Sequence, residues 1–190
     1  MPTAAALSST LTLADAQRDM RAGYLGGAVG LLVSGSMWAI AGAVCLARSP
    51  QAAVWALFIG GALIHPIAML VTRLLGHPGK HTPGNPLGAL ALATTVWMIL
   101  MLFPAYGIAQ WRIGLFFPAM LFVIGGRYLC FATLFGTRQY YVCGALLALA
   151  GYGLTKLGAA PVAGAFAGAL IEIAFAGIVA ASLRQPTRAR

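Results

Sequence analysis

Acidic residues are almost absent from this chain, and charge of either sign is scarce. Only 3 of its 190 residues are Asp or Glu, and charged residues together make up 8%, whereas soluble domains carry about a quarter. Hydrophobic residues make up 61%. This balance excludes an ordinary soluble domain and predicts a protein that crosses a membrane several times.

The basic excess does not indicate a nucleic-acid partner. The net charge is +9, yet the Lys and Arg residues fall mostly in short segments between apolar stretches and at the chain ends, where orientation signals lie. No basic run is interleaved with aromatic residues, as a groove for single strands requires. We therefore expect a lipid bilayer as the partner and no nucleic acid.

Cysteine is rare, and metal-ligating residues form no recognisable set. The three cysteines contain no CxxC pair, which argues against a disulfide framework and a cysteine metal site. His77 and His81 have i, i+4 spacing, but Pro78 and Pro83 oppose the helix that would align them. We expect no metal and no cofactor.

Enzyme motifs are also missing. The chain contains no Walker loop, no dinucleotide-binding fingerprint and no HExxH. Ser34 and Ser36 lie in an apolar stretch without the GxSG pattern of rhomboid proteases. We therefore expect that the protein is not an enzyme.

Six apolar stretches are long enough to cross a hydrocarbon core of about 30 Å. They lie at about 24–46, 52–75, 87–108, 113–134, 140–157 and 161–183. The predicted fold is all-α: a polytopic bundle of six transmembrane helices in a single membrane domain, 1–190. Within it, 24–183 form the bundle and 184–190 a basic tail.

A short interfacial helix is expected within the N-terminal segment, 1–22. Residues 12–15 fit a capping box. Leu13, Ala16, Met20 and Tyr24 then recur at helical spacing, which predicts one apolar face. A helix of this kind lies at the membrane surface and leads into the first span.

Basic residues are unequally divided between the two ends of the predicted bundle. Eight fall at one end, in the terminal segments and the loops 73–86 and 135–139, and three fall at the other. Since the cytoplasmic side carries the excess, both termini are predicted to be cytoplasmic. The composition, rich in Ala, Gly and Arg, is typical of a bacterial inner membrane protein.

Small residues recur at four-residue spacing in the first and last stretches, and such stripes let helices approach closely in lipid. Gly26 and Gly30 belong to the first stripe, and Gly164 and Gly168 to the last. Glu172 continues the last stripe, so its carboxyl group is expected to face neighbouring helices. The first stripe fits either internal packing or a homo-oligomer.

Glu172 stands at the centre of the last apolar stretch, where a charged side chain costs roughly 2.5–3.5 kcal/mol. His65 and Arg127 fall at similar depth in the second and fourth stretches. These three residues are the candidate ion- or substrate-binding site of a small transporter or channel-like protein for an ion or small molecule. The alternative is a non-transporting structural protein in which they form a buried ion pair.

The N-terminal part carries one family resemblance. The run RDMRAGYLGG at 18–27, followed by Val33-Ser34-Gly35 and Trp38, resembles the opening of an uncharacterised family of small six-span bacterial membrane proteins of unknown function. The resemblance implies the six-span fold and carries no activity. The layout is also similar to acid-resistance six-span membrane proteins, in length and span count only.

Overall fold

The computed structural model describes residues 11–184, and this part of the chain is helical without a strand. The α-helices are α1 (Leu13–Tyr24), α2 (Ala28–Ala47), α3 (Pro50–Leu74), α4 (Leu87–Trp111), α5 (Phe116–Phe135), α6 (Gln139–Lys156) and α7 (Pro161–Arg184). Helices α2 to α7 match the six predicted stretches to within four residues at each end. Most of the basic tail predicted at 184–190 lies outside the described residues.

Five stretches of the described chain are long and apolar enough to cross a membrane. They are Leu13–Ala47, Pro50–Leu74, Leu87–Trp111, Ile113–Phe135 and Pro161–Leu183. The first includes α1, but α1 carries four charged residues, so the apolar span itself is α2. Helix α6 is not among the five, because polar residues occupy both of its ends. The chain is a multi-pass helical membrane protein.

The bundle is built around α2, α5 and α7. Helix α2 packs along α3 and α7, α5 packs along α4 and α6, and α6 also lies against α7. Glycines mark the closest approaches. A Cβ on Gly35 would lie 3.2 Å from the carbonyl oxygen of Ala169 in α7, and one on Gly125 would lie 2.8 Å from that of Gly144 in α6. Small residues thus let the backbones meet, as helix association in lipid favours.

A glycine-rich break separates α1 from α2. Gly26 and Gly27 have φ values of 59° and 87° in a 3-10 turn that spans Leu25–Gly27. The Tyr140 hydroxyl donates a hydrogen bond of 2.7 Å to the Gly26 carbonyl oxygen, and it would lie 2.1 Å from a Cβ on Gly27. Only glycine fits position 27, since both the backbone conformation and the space exclude a side chain.

Helix α1 rests against one end of the bundle. The predicted capping box is confirmed, because the Thr12 and Asp15 side chains each accept from the other's backbone amide. The predicted apolar face is partly wrong. Ala16 and Met20 are buried, but Leu13 is 58% exposed. The α3–α4 loop and α5 contact α1 at Ala16 and Gln17, one turn after Leu13, and leave Leu13 uncovered.

In chain order the six long helices form two sequential three-helix units of opposite direction, α2–α4 and α5–α7. These units are not packed separately, because α2 packs on α7 and because α3 and α4 do not pack along each other. A 3-10 turn, Leu25–Gly27, leads into the 20-residue α2, and a second, Ile113–Leu115, leads into the 20-residue α5. The sequence LLVSGSMW at 31–38 aligns with LFVIGGRY at 121–128. Because three antiparallel helices separate the two starts, the unit α2–α4 and the unit α5–α7 run in opposite senses.

Candidate functional site

Glu172 lies in the centre of the bundle. Its side chain has no exposed surface, and its helical neighbours Ala165, Ala169 and Ala176 are also buried. These residues form the face of α7 that packs against α2 and α5. The small-residue stripe therefore turns the carboxyl group towards protein, as the spacing predicts.

The carboxyl group has one hydrogen bond. The Tyr128 hydroxyl of α5 donates to Glu172 Oε1 at 3.0 Å. The Ser34 hydroxyl of α2 lies beside the group, but no hydrogen bond of normal geometry joins them, and Oε2 has no partner among the described residues. Glu172, Tyr128 and Ser34, called the carboxyl centre below, join α7, α5 and α2.

Arg127 faces away from the carboxyl centre. Its guanidinium donates to Thr95 Oγ1 and Met98 Sδ of α4, each at 3.1 Å, and lies 5.1 Å from the Phe131 ring centroid. Neighbouring residues project about 100° apart around a helix. Tyr128 therefore faces α7, and Arg127 faces α4. In the described chain the one ion pair joins Asp15 to Arg18, so the expected ion pair with Glu172 does not form.

His65 does not approach the carboxyl centre either. It is exposed on α3, a helix that packs on α2 through Leu57 and Gly60. The sequence predicts His65, Arg127 and Glu172 at a similar depth in the membrane. In the structure their side chains point in different directions around α3, α5 and α7, so the three side chains lie apart. The structure does not bring the three together as one polar site.

Three of the four predicted packing glycines lie at helix contacts. A Cβ on Gly164 would lie 2.6 Å from the Phe117 side chain, and one on Gly168 would lie 2.6 Å from the Trp38 ring. Gly26 also lies against Val179 of α7, but it belongs to the 3-10 turn before α2 and not to a helix. Gly30 has no neighbour within 4 Å, so it makes no close contact in this structure.

A second polar cluster, absent from the predictions, attaches α1 to the α3–α4 loop. Asp19 accepts hydrogen bonds from the Thr82 hydroxyl at 2.6 Å, the Thr82 amide at 2.9 Å and the Asn85 side-chain amide at 2.7 Å. The bonds from Thr82, followed by the bond from Asn85, lower the pKa of Asp19 below its ordinary value. This cluster is called the α1 clasp.

Further contacts hold α1 from both sides. The Gly79 amide donates to the Gly23 carbonyl oxygen at 3.0 Å, and the Tyr24 hydroxyl lies 2.9 Å from His81 Nδ1. On the other side, the Gln17 side chain donates at 2.7 Å to the Thr133 carbonyl oxygen of α5. Asp19 is one of only three acidic residues, and this scarcity is the signal in the sequence that could have indicated the clasp.

A pocket opens at the opposite end of the bundle, with a volume of about 290 Å³. Its lining includes Arg112, Thr155 and Pro161. It is far from the carboxyl centre, which lies about eleven residues, or roughly 16 Å, along α7 from Pro161. No group of His, Cys, Asp or Glu suited to a metal ion occurs in residues 11–184.

The fold and the buried polar groups define a multi-pass helical membrane protein with ionisable side chains inside its bundle. A family of unknown function (DUF7010) matches residues 13–182, and the chain belongs to that family. No curated protein and no solved structure matches the chain. The resemblance to an uncharacterised family, drawn from the N-terminal part, is thereby confirmed.

Proposed function

We propose that this protein is a small transporter of the bacterial inner membrane and that Glu172 is its proton-binding group. In this proposal the chain crosses the membrane six times, and both termini are cytoplasmic. The carboxyl centre takes up and releases a proton as the bundle changes conformation. Movement of the proton is coupled to movement of a substrate.

The observation that carries this proposal is the lone buried carboxyl group of Glu172. It has one hydrogen bond, from Tyr128, and no cation in contact among the described residues. Apolar surroundings favour the neutral acid over the carboxylate, so ionisation requires a change of surroundings. Ionisable groups inside membrane helices commonly belong to proton relays and substrate pathways.

The two units of opposite direction support the proposal. Many secondary transporters consist of inverted repeats, and one repeat moves against the other during alternating access. Here α5 belongs to one unit and contacts α4 of the other through Arg127. The adjacent Tyr128 reaches Glu172 within its own unit. Ser34 of α2, in the other unit, also lies beside Glu172, so movement between the units would change the surroundings of the carboxyl centre.

The packing of α6 supports the proposed sixth crossing. This helix has 18 residues and lies along α5, with Tyr140 near Phe135 at one end and Gly151 near Pro118 at the other. It thus extends beside most of a helix that is apolar enough to span. With six crossings, the excess of basic residues at one end supports a cytoplasmic location for both termini.

The test compares Glu172→Gln with the wild type in proteoliposomes that contain a pH-sensitive dye. With a pH gradient imposed and no substrate added, we expect an uncoupled proton leak through the wild type and its loss in Glu172→Gln, because the amide cannot bind and release a proton. Asp15→Asn, a change at an acid outside the apolar spans, should keep the flux. Equal flux in Glu172→Gln and wild type would refute the role of Glu172.

A non-transporting structural protein is the second candidate. The close contacts of Gly35 and Gly168 between α2 and α7 favour it, because they surround Glu172 with tightly packed protein. In that case Glu172→Gln would disturb assembly, seen as a loss of monodisperse protein in detergent. Absence of flux in the wild type, together with a stably retained lipid or partner in native mass spectrometry, would also favour this candidate.

A further inference from the structure

The pocket at the end of the bundle opposite α1 lies between two connections. One is the turn that links α4 to α5, with Arg112, Gly114 and Leu115, and the other is the loop that links α6 to α7, from Leu154 to Pro161. The pocket has a volume of about 290 Å³. Since a water molecule occupies roughly 30 Å³ in the liquid, there is room for a ligand of roughly ten non-hydrogen atoms.

Close contacts between helices close this pocket towards the centre of the bundle. One turn into α7, a Cβ on Gly164 would lie 2.6 Å from the Phe117 side chain of α5. In α6, one turn before Leu154, a Cβ on Gly151 would lie 2.8 Å from the Pro118 carbonyl oxygen of α5. Because α5, α6 and α7 meet so closely below it, the pocket opens at the end of the bundle, and a ligand enters it from the water there.

Charge at this end of the described bundle is entirely basic. The three acidic residues lie elsewhere, two of them in α1 at the other end and one about eleven residues, or roughly 16 Å, from the start of α7. Of the basic residues at this end, Arg112 lines the pocket, whereas Arg48 lies in the α2–α3 connection and Lys156 lies over the Tyr152 ring. The uncompensated positive charge therefore favours an anion in the pocket.

Arg112 also provides the unused hydrogen-bond donors of the pocket wall. The Thr155 hydroxyl donates within α6 at 2.8 Å, and the carbonyl oxygens of Leu154 and Thr155 accept from the amides of Ala159 and Gly158 at 3.0 and 3.2 Å. The Arg112 guanidinium, in contrast, has no acceptor among the described residues. A carboxylate provides two oxygens in the geometry that an arginine binds best.

The rest of the wall is largely apolar and includes Ile113, Leu115, Leu154 and Pro161. One cation beside apolar walls matches a ligand with a single negative charge and an apolar body. We propose that this pocket binds a small monocarboxylate of up to roughly ten non-hydrogen atoms. Arg112 holds the carboxylate, and the apolar wall covers the body of the ligand. Binding at the pocket does not depend on the transport function proposed above.

The first test concerns the charge of Arg112. It measures binding of 4-fluorobenzoate by ¹⁹F NMR to the full chain in neutral phosphatidylcholine nanodiscs, with empty nanodiscs as the blank. We expect saturable binding by the wild type and about tenfold weaker binding by Arg112→Gln, as loss of a charged hydrogen bond predicts. Arg48→Gln, the same change at an exposed arginine of this end outside the pocket lining, should bind as the wild type does.

The second test concerns the space in the pocket. Gly114 lines the pocket, and a Cβ there would have no neighbour within 4 Å. Gly114→Leu therefore adds a side chain without a clash and should abolish saturable binding by filling the pocket. Gly107→Leu, the same change at an open and exposed position of α4 outside the lining, should bind as the wild type does. Absence of binding by the wild type, or wild-type affinity in either Arg112→Gln or Gly114→Leu, would overturn the proposal.

Competitors separate the possible ligands. Unlabelled benzoate should displace 4-fluorobenzoate, whereas benzyl alcohol and inorganic phosphate at the same concentration should not. Displacement by the alcohol would show a merely apolar cavity, and displacement by phosphate would show a site for any anion. Either result would contradict a site that requires both a carboxylate and an apolar body.

The Glu172→Gln variant separates this proposal from the proposed transporter role. It should bind 4-fluorobenzoate normally, because the carboxyl centre lies roughly 16 Å along α7 from the pocket. Normal binding with an unchanged proton leak in Glu172→Gln would refute the role of Glu172 and leave the carboxylate pocket in place. A proton leak that depends on Glu172, without saturable binding by the wild type, would refute the pocket alone.

Discussion

At the scale of single residues, Tyr128 determines the environment of Glu172. Its hydroxyl is the one hydrogen-bond donor to the carboxyl group in the described chain, and both side chains are buried. Tyr128→Phe should lower the free energy of unfolding by about 1–3 kcal/mol, because the acid is left without a donor. Thermal unfolding in detergent measures the loss.

Tyr141→Phe is the matched control for this change. Tyr141 is 50% exposed and makes no side-chain hydrogen bond among the described residues, so its variant should unfold as the wild type does. In the double variant Tyr128→Phe, Glu172→Leu, the two losses should not add, because either change alone removes the same hydrogen bond. Additive losses would show that the two side chains act independently.

The outcome for Arg127 shows how far a sequence can predict such a site. A sequence gives the depth of a residue from its place in an apolar stretch, and this placed Arg127 and Glu172 at one level. Its direction around the helix depends on which neighbours pack there. For Glu172 the stripe of small residues indicated that direction. Arg127 and His65 carry no such marker. The direction of Arg127 follows from its contacts with α4, and His65 lies on an exposed face of α3.

At the scale of helices, the contact of α2 with α7 depends on Gly168. A Cβ at this position would lie 2.6 Å from the ring of Trp38, which is 1% exposed and cannot move aside. Gly168→Ala should lower the free energy of unfolding by about 1–3 kcal/mol through overpacking. The same change at Gly177, which has open space, should have little effect. Equal thermal stability of the two variants would contradict this account of the contact.

The α1 clasp gives a second prediction at this scale, concerning pH. The pKa of Asp19 is lower in the folded protein than its ordinary value near 3.8. The contribution of its ionised form to stability is therefore complete above that value and is lost as the pH falls through the lower, folded pKa. We expect the protection of the α1 amide protons, measured relative to their intrinsic exchange rate at each pH, to fall below about pH 4.

Asp19→Asn should remove this dependence. Its amide accepts hydrogen bonds less strongly than the carboxylate, so the α1 amides should be less protected already at neutral pH, and this protection should change little on acidification. Hydrogen exchange with mass spectrometry, followed on peptides of α1, measures both effects. Equal dependence on pH in the variant and the wild type would assign the transition to another group.

The helices and the clasp differ in how well the sequence predicts them. Length and hydropathy predict α2 to α7 because each helix satisfies its own backbone hydrogen bonds within the membrane. The clasp joins Asp19 to Thr82 and Asn85, more than sixty residues away. No local pattern encodes that distance. The capping box predicts the α1 helix itself, but nothing in the sequence predicts that α1 contacts the α3–α4 loop.

At the scale of the whole molecule, the proposed orientation can be tested with single cysteines. After replacement of the three native cysteines, Lys80→Cys should resist an impermeant maleimide applied to intact cells, and Leu157→Cys should react. Both positions are exposed, and they lie at opposite ends of the bundle. Lysis should make Lys80→Cys reactive. The reverse pattern in intact cells would place the termini outside.

The attachment of α1 also determines the order in which the molecule can be completed. Ribosomes make α1 before its partners Thr82, Asn85 and Thr133, which lie 63 to 116 residues after the α1 residues that they bind. Helix α1 can therefore bind the α3–α4 loop once that loop is made, but its contact with Thr133 waits until α5 has been inserted. Final docking of α1 therefore requires the four helices α2 to α5, and a truncated product that stops before α5 would lack the contact that Gln17 makes with Thr133.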